Sequence, residues 1–187
     1  MVYDPYSDPY FEHSTEADDL VSKGFLSDEA LVAKLDTTLK LEDVDLDDYD
    51  AITSPAAAAP RSTSIPMRRW VGRSSTSGPR ARWSGAICHG AIALGNIPER
   101  VRGRRTTGYT LEGDLDLQRM FGSGFLIPHY PQKVLEEVGS SYSRVAPNDP
   151  YVVRDGKLVT GQNQQSASEY ALVLLQALTG ERPVSNG

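Results

Sequence analysis

Apolar positions recur at helical spacing early in the chain: Ala30, Leu31 and Leu35, with Lys34 and Thr38, form one face of a helix that Ser27-Asp28-Glu29 would open. Leu31 and Leu35 are expected to turn toward a core. An earlier helix is predicted from Thr15 to Lys23, with Ser14 as its cap and Gly24 as its stop. Tyr49-Asp50-Ala51-Ile52 then reads as the entry to a buried strand. The apolar pattern breaks off there. From Thr53 to Ser84 the chain is Ser, Ala, Pro, Arg and Gly, with six arginines, no lysine and no acidic residue. The expected strand does not continue, and the composition is that of a disordered linker.

Order resumes at Gly85, and strands and helices alternate as in an α/β domain. Ala86-Ile87 is a short buried strand end, Cys88-His89-Gly90 a tight turn, and Ala91 to Leu94 the first turn of a helix. Arg104 to Tyr109 and Ser141 to Ala146 read as strands. Pro131 to Val138 is a helix with proline at its start and Gly139 past its end, the asymmetry expected from a missing donor and a left-handed stop. Tyr151 to Thr160 is a hairpin in which Asp155-Gly156 supplies the two positive φ angles of a type I′ turn. Ser166-Ala-Ser168-Glu caps a last helix whose Ala171, Leu172, Leu174, Leu175 and Leu178 would cover the sheet before Gly180 ends it.

A chain of 187 residues, 39% hydrophobic and 24% charged, is the size of one domain with a core. Its net charge of -6 argues against general binding to nucleic acid or anionic membranes, since both attract a positive field. The arginine run read as a nucleic-acid tail is the lesser alternative, because the acidic body would compete for it. No stretch approaches a membrane span, and the N-terminus lacks the basic and apolar regions of an export signal. One cysteine excludes an internal disulfide and a Cys-rich zinc site, and His13, His89 and His129 show no metal-ligand spacing. A cytoplasmic protein acting on small molecules or proteins is expected.

The default reading of a lone cysteine is a small buried hydrophobe. Cys88 departs from it by position, between an apolar strand end and a helix start, the placement of a nucleophile elbow. Free N–H groups at such a helix start favour a thiolate. His89 is the nearest base, although neighbours on a strand point apart, so adjacency alone does not guarantee contact. Glu112, Asp114 and Asp116 read equally as a solvated acidic turn or as the source of an acid for the site. His129, beside Pro128 and Tyr130, reads as loop packing.

The segment Gly85-Ala-Ile-Cys88-His89-Gly90-Ala-Ile-Ala-Leu94 resembles the A-[VI]-C-H-G-x-x-A-L elbow of the ThiJ/PfpI family, in the branch with glyoxalase III-like, chaperone and deglycase members. Thr107-Gly108-Tyr109-Thr110 is similar to that branch's T-G-[FY]-T segment, and Tyr151 to Gln165 to its V-x-D-G-x-L-[VI]-T-G-Q-x-x-x-S ending. Leu41 to Ile52 resembles the approach to the family's glycine-rich strand. The resemblance implies a flavodoxin-like α/β sandwich, a mostly parallel sheet between helices, incomplete in this chain. It implies a Cys-His-acid site of Cys88, His89 and Asp114, with Glu112 as second choice, and an oxyanion or substrate pocket at Gly90 and Tyr109. The chemistry implied needs no cofactor, neither metal nor glutathione, and converts a reactive carbonyl such as methylglyoxal to a 2-hydroxy acid. Homodimers are common in the family. A non-catalytic chaperone-like or degenerate member and a PfpI-type cysteine peptidase are the alternatives. A glutamine amidotransferase lacks its H-x-E motif here.

Against the family's pattern, an opening strand, helix and strand are expected to be missing, and so is a V-x-G-G-x-G strand after Ile52. Joining each codon's third base to the next two bases permits V-A-G-G-R-G from Thr53 onward and forces glycine at the Trp70-Val71 junction, so two compensating frame shifts are expected near Thr53 and Ser84. The domain plan is then an acidic, partly helical fragment over 1–52, a disordered or frame-shifted segment over 53–84, the C-terminal half of the domain over 85–180, and a tail over 181–187. Without the glycine strand, central hydrogen-bond partners are lost, which predicts poor folding and little activity.

Overall fold

Short polar side chains at chain reversals decide where the first helices begin. In the computed structural model, which describes residues 10, 17–40, 43–45, 48–56, 83–122 and 127–180, helix α1 is Leu20–Leu26 and α2 is Glu29–Asp36. Asp19 caps α1 by accepting from the Val21 N–H at 2.9 Å. Gly24 lies inside α1 instead of ending it. The stop is Ser27, whose N–H and Oγ both return to the Lys23 carbonyl. The expected cap, Ser14, is outside the described residues. Asp28 caps α2 by accepting from Ala30 and Leu31 N–H. Leu31 and Leu35 are the half-buried side of α2, but no residue of that helix is fully buried. This pair belongs to a compact unit spanning residues 1–45.

The second unit, residues 46–187, is built on a four-stranded sheet. Its strands are β1 (Ala51–Ala56), β2 (Trp83–Cys88), β6 (Leu158–Gly161) and β5 (Val152–Asp155), in that spatial order. β1, β2 and β6 are parallel, and β5 is antiparallel to β6. The strand that the composition of residues 53–56 argued against is therefore present, paired along β2 from Ala51 opposite Trp83 to Ala56 opposite Cys88. A parallel ladder is made by backbone groups, so serine and alanine serve where an apolar run was expected. Pro55, which has no N–H, is tolerated because β1 is the edge of the described sheet. β2 thus has partners on both sides. The loss of central pairing expected for this chain does not occur there, and residues 57–82 lie outside the described ones.

Alternation along β2 sends Ala86 and Ile87 to opposite faces, and each face carries its own core. Ala86 and Leu158 pack with Ala91, Leu94, Ile97, Val101 and Leu135. Ile87 and Val159 pack with Tyr170, joined by Val173 and Leu174. The first face is covered by a 3₁₀ segment, His89–Asn96, and by α5 (Pro131–Glu137); the second by α6 (Ala167–Thr179). Helices on both sides of a mostly parallel sheet make the α/β sandwich expected of the sequence. Two further helices, α3 (Pro98–Val101) and α4 (Leu111–Phe121), and a parallel pair, β3 (Arg105–Thr106) with β4 (Ser141–Tyr142), complete the unit.

Several local expectations shift for identifiable reasons. The helix expected after the elbow is 3₁₀. The strand from Arg104 stops at Thr106, because Thr107 N–H turns to Thr160 Oγ1 and Tyr109 N–H to the Cys88 carbonyl. The strand from Ser141 stops at Tyr142, since Val145 N–H goes to the side chain of Gln162. Asp155 pairs with Leu158, so the hairpin turns on Gly156-Lys157 instead of Asp155-Gly156. Only Gly156 has positive φ, at 58°, the pattern of a type II′ turn. Asp155 spends its carboxylate on Arg105 N–H and Arg104 Nη1. Along α6, Tyr170 anchors the sheet with Val173 and Leu174, which rotates the buried stripe and leaves Ala171, Leu172, Leu175 and Leu178 exposed. Ser166 stands at the α6 cap position without capping it; its Oγ donates to Asn163 Oδ1 and accepts from Tyr151 N–H. Fully buried Gln162 and Asn163 hold the loop before β5, donating to the carbonyls of Ala146, Pro147 and Asp149. Among the described residues, no helix is long and apolar enough to cross a membrane.

Candidate active site

The last residue of β2 leaves the strand abruptly. Cys88 has φ 58° and ψ -130°, and it is the one described non-glycine residue with positive φ. That conformation costs a side chain roughly 1–3 kcal/mol and persists only where the surroundings impose it. Because Cys88 is not extended, the argument that neighbouring strand residues diverge no longer applies, and the turn brings the next side chain back. His89 Nδ1 lies 3.4 Å from Cys88 Sγ. The thiol is half-buried and the imidazole, with 4% of its surface exposed, is buried.

The other imidazole nitrogen faces α4. His89 Nε2 is 2.7 Å from Asp114 Oδ1, and Asp114 is fully buried. Asp114 sits in the first turn of α4, where free N–H groups favour a carboxylate. Thr110 caps that helix by accepting from Gly113 N–H at 3.0 Å, and Leu111 N–H is taken up by Gln132 Oε1. Asp114 Oδ2 has no hydrogen-bond partner among the described residues. Glu112, the other candidate acid, faces outward and pairs with Arg144 at 3.0 Å. Asp116 likewise pairs with Arg119. The acidic turn is thus divided between one buried carboxylate aimed at His89 and two in surface ion pairs.

Burial of the imidazole works against its protonation. The hydrogen bonds to Asp114 and Cys88, and the charges of both groups, outweigh it and push the His89 pKa up to about 9. At neutral pH the ring is therefore a cation with Nε2–H directed to Asp114 and Nδ1–H to the sulfur. Tyr109 stacks on it, ring centroids 4.5 Å apart and planes 30° from parallel. Burial, with the charges of Cys88, Asp114 and Asp116, pushes the Tyr109 pKa up to about 12, so its hydroxyl stays protonated.

Gly108 lets the Thr107–Thr110 segment come this close. A Cβ there would lie 2.7 Å from the Cβ of Ala91 and 3.3 Å from Leu135 Cδ1. The Tyr142 hydroxyl donates to the Gly108 carbonyl at 3.0 Å. Gly90 is buried in the first turn of the 3₁₀ segment. His129 lies exposed in the loop before α5, and His13 falls outside the described residues. The sequence pointed to Tyr109 as pocket lining; its stack on His89 and the Tyr142 tether were not legible there. Among the described residues, no three His, Cys, Asp or Glu side chains converge as a metal site requires.

Comparison with known proteins matches the chain to one family. Among curated proteins no relative matches the chain. Of solved structures, the Rapid Encystment Protein 24 kDa of Francisella tularensis is similar over 90% of this chain and 75% of its own, at 25% identity and a TM-score of 0.68. Glyoxalase III from Candida albicans is similar over 89% of this chain and 74% of its own, at 24% identity and a TM-score of 0.67, a likeness of fold. The DJ-1/PfpI family model matches residues 22–177, which takes in the sheet, the strained cysteine and the acid on α4, and the chain belongs to that family.

Proposed function

We propose that the chain converts 2-oxoaldehydes such as methylglyoxal to 2-hydroxy acids without glutathione, in the manner of a glyoxalase III. The observation that carries the reading is the run of contacts from Cys88 Sγ through His89 to Asp114, with the imidazole bonded at both nitrogens. The fold shared with the Candida albicans glyoxalase III is in keeping with it.

In this reading the Cys88 thiolate adds to the aldehyde carbon, and the His89 cation gives its proton to the resulting alkoxide, forming a hemithioacetal. Neutral His89 then removes the hydrogen from that carbon, and the electrons move toward the adjacent carbonyl to give an enediolate. Return of that proton to the neighbouring carbon, with the hydroxyl proton of the first carbon passing to the second oxygen, yields a 2-hydroxy thioester. Water cleaves the thioester, releasing lactate and restoring the thiol. The sum is methylglyoxal plus water giving lactic acid. Asp114 holds the ring and offsets its charge each time it is protonated. The strained backbone of Cys88 turns the chain where thiol and imidazole meet, as in a nucleophile elbow.

The test is lactate formation from methylglyoxal by the full chain and by Cys88→Ala. The wild type should exceed the variant by at least about a thousandfold, the scale on which covalent nucleophiles act. Equal rates would remove the enzyme reading and leave a non-catalytic member of the family.

A further inference from the structure

His89 is bonded at both ring nitrogens, but unequally: Nε2 lies 2.7 Å from Asp114 Oδ1 and Nδ1 3.4 Å from Cys88 Sγ. At 3.4 Å the sulfur contact holds its edge of the ring only loosely, which leaves the imidazole room to rock about the Asp114 bond. Tyr109 lies on the ring face and opposes that rocking. We propose that Tyr109 is a positioning residue for His89, its ring fixing the tilt at which Nδ1 points at the Cys88 sulfur while Nε2 points at Asp114. This deepens the reading of the site given above and rests on it.

Tyr109 is itself immobilised by the parts it serves. Its N–H donates to the Cys88 carbonyl at 3.3 Å, the preceding carbonyl is held by Tyr142, and the following residue, Thr110, caps the helix that carries Asp114. One short segment therefore touches the elbow backbone, the face of the imidazole and the start of the acid's helix. The negative face of an aromatic ring also favours the charged form of the imidazole beneath it. The stack uses the ring and makes no demand on the hydroxyl. The ionisable groups around the imidazole are Cys88, Asp114 and Tyr109, with Asp116 further along α4.

Cys88 is the chain's one cysteine, so alkylation of the full-length protein by iodoacetamide reports this site directly. Rates measured across pH should agree within about twofold between wild type and Tyr109→Phe, which keeps the ring. Tyr109→Leu should lower the rate at neutral pH about three- to tenfold, the scale of one aromatic contact, and shift the His89 limb of the profile downward. A purely structural contribution would lower thermal stability without moving that limb. A folded Tyr109→Leu protein with the wild-type profile overturns the proposal. If the leucine variant does not fold, the wild type decides: the carbon-bound ring protons of His89 should resonate upfield of their positions in the denatured chain, and their absence from that region overturns the stack. Loss of lactate formation with Tyr109-dependent alkylation intact would overturn the proposed reaction and support the positioning role.

Discussion

Two turns of this molecule share a backbone angle and differ in what that angle costs. Gly156, at the tip of the β5–β6 hairpin, and Cys88, at the end of β2, both have φ 58°. At the hairpin the angle belongs to a residue without Cβ, and the turn only has to reverse the chain. At the elbow a side chain is forced into a conformation that glycine would take freely, and neighbours hold it there: the ladders of β1 and β6, the Tyr109 N–H on its carbonyl, and Gly108 against Ala91. Strain is kept where a thiol must meet an imidazole and avoided where nothing depends on direction.

The largest effect should come from the support of the elbow. Gly108→Ala places a methyl group against Ala91 and Leu135 and should cost about 3 kcal/mol in chemical denaturation, the upper end for overpacking. It should also slow Cys88 alkylation. A neutral Gly108→Ala would mean that the segment is free to shift and that the elbow does not depend on it.

Asp114→Asn comes next. It removes the charge that sustains the His89 cation and should cost about 2 kcal/mol near neutral pH, as expected for a buried charge-assisted bond. Because the folded pKa of His89 lies above its ordinary 6.5, its contribution to stability is complete below that value and is lost as pH rises through about 9. Wild-type stability should decline across this window. The asparagine variant should be flatter there, and identical slopes would remove Asp114 from the account.

The smallest effects contrast the two turns themselves. Gly156→Ala should destabilise by about 1 kcal/mol, whereas Cys88→Gly should be more stable than Cys88→Ala by a similar amount, since both lack the thiol and differ only in a Cβ at positive φ. If the glycine variant were the weaker of the two, the elbow would not be strained.

The sequence revealed elements fixed by local chemistry. Asp28 before α2, Pro131 opening α5, Gly180 closing α6 and the residues around the hairpin each act within a few positions of themselves. The elbow was legible because apolar strand, cysteine and small residues follow one another without interruption. What stayed hidden depends on partners far along the chain. Residues 53–56 have no strand-like composition and continue the strand entered at Ala51-Ile52 by lying beside β2. The face of α6 is set by Tyr170 seated against the sheet, so counting leucines chose the wrong stripe. Spacing within the family resemblance ranked Asp114 before Glu112 without showing what either touches; Glu112 lies toward Arg144 and Asp114 toward His89. The Tyr109 stack needs two segments to meet, and sequence carries no sign of that meeting beyond an aromatic after glycine.

Asn163 carries a consequence for how the protein ages. Its Nδ2 donates to the carbonyls of Pro147 and Asp149, while its Oδ1 accepts from Ser166. Asparagine is among the chemically labile residues at high temperature, losing its amide nitrogen to leave an acid. At this position the change would replace two donated bonds with a negative oxygen facing two carbonyls in a buried place. Heating would then be recorded as a loosened loop at residues 146–149 and a more acidic protein.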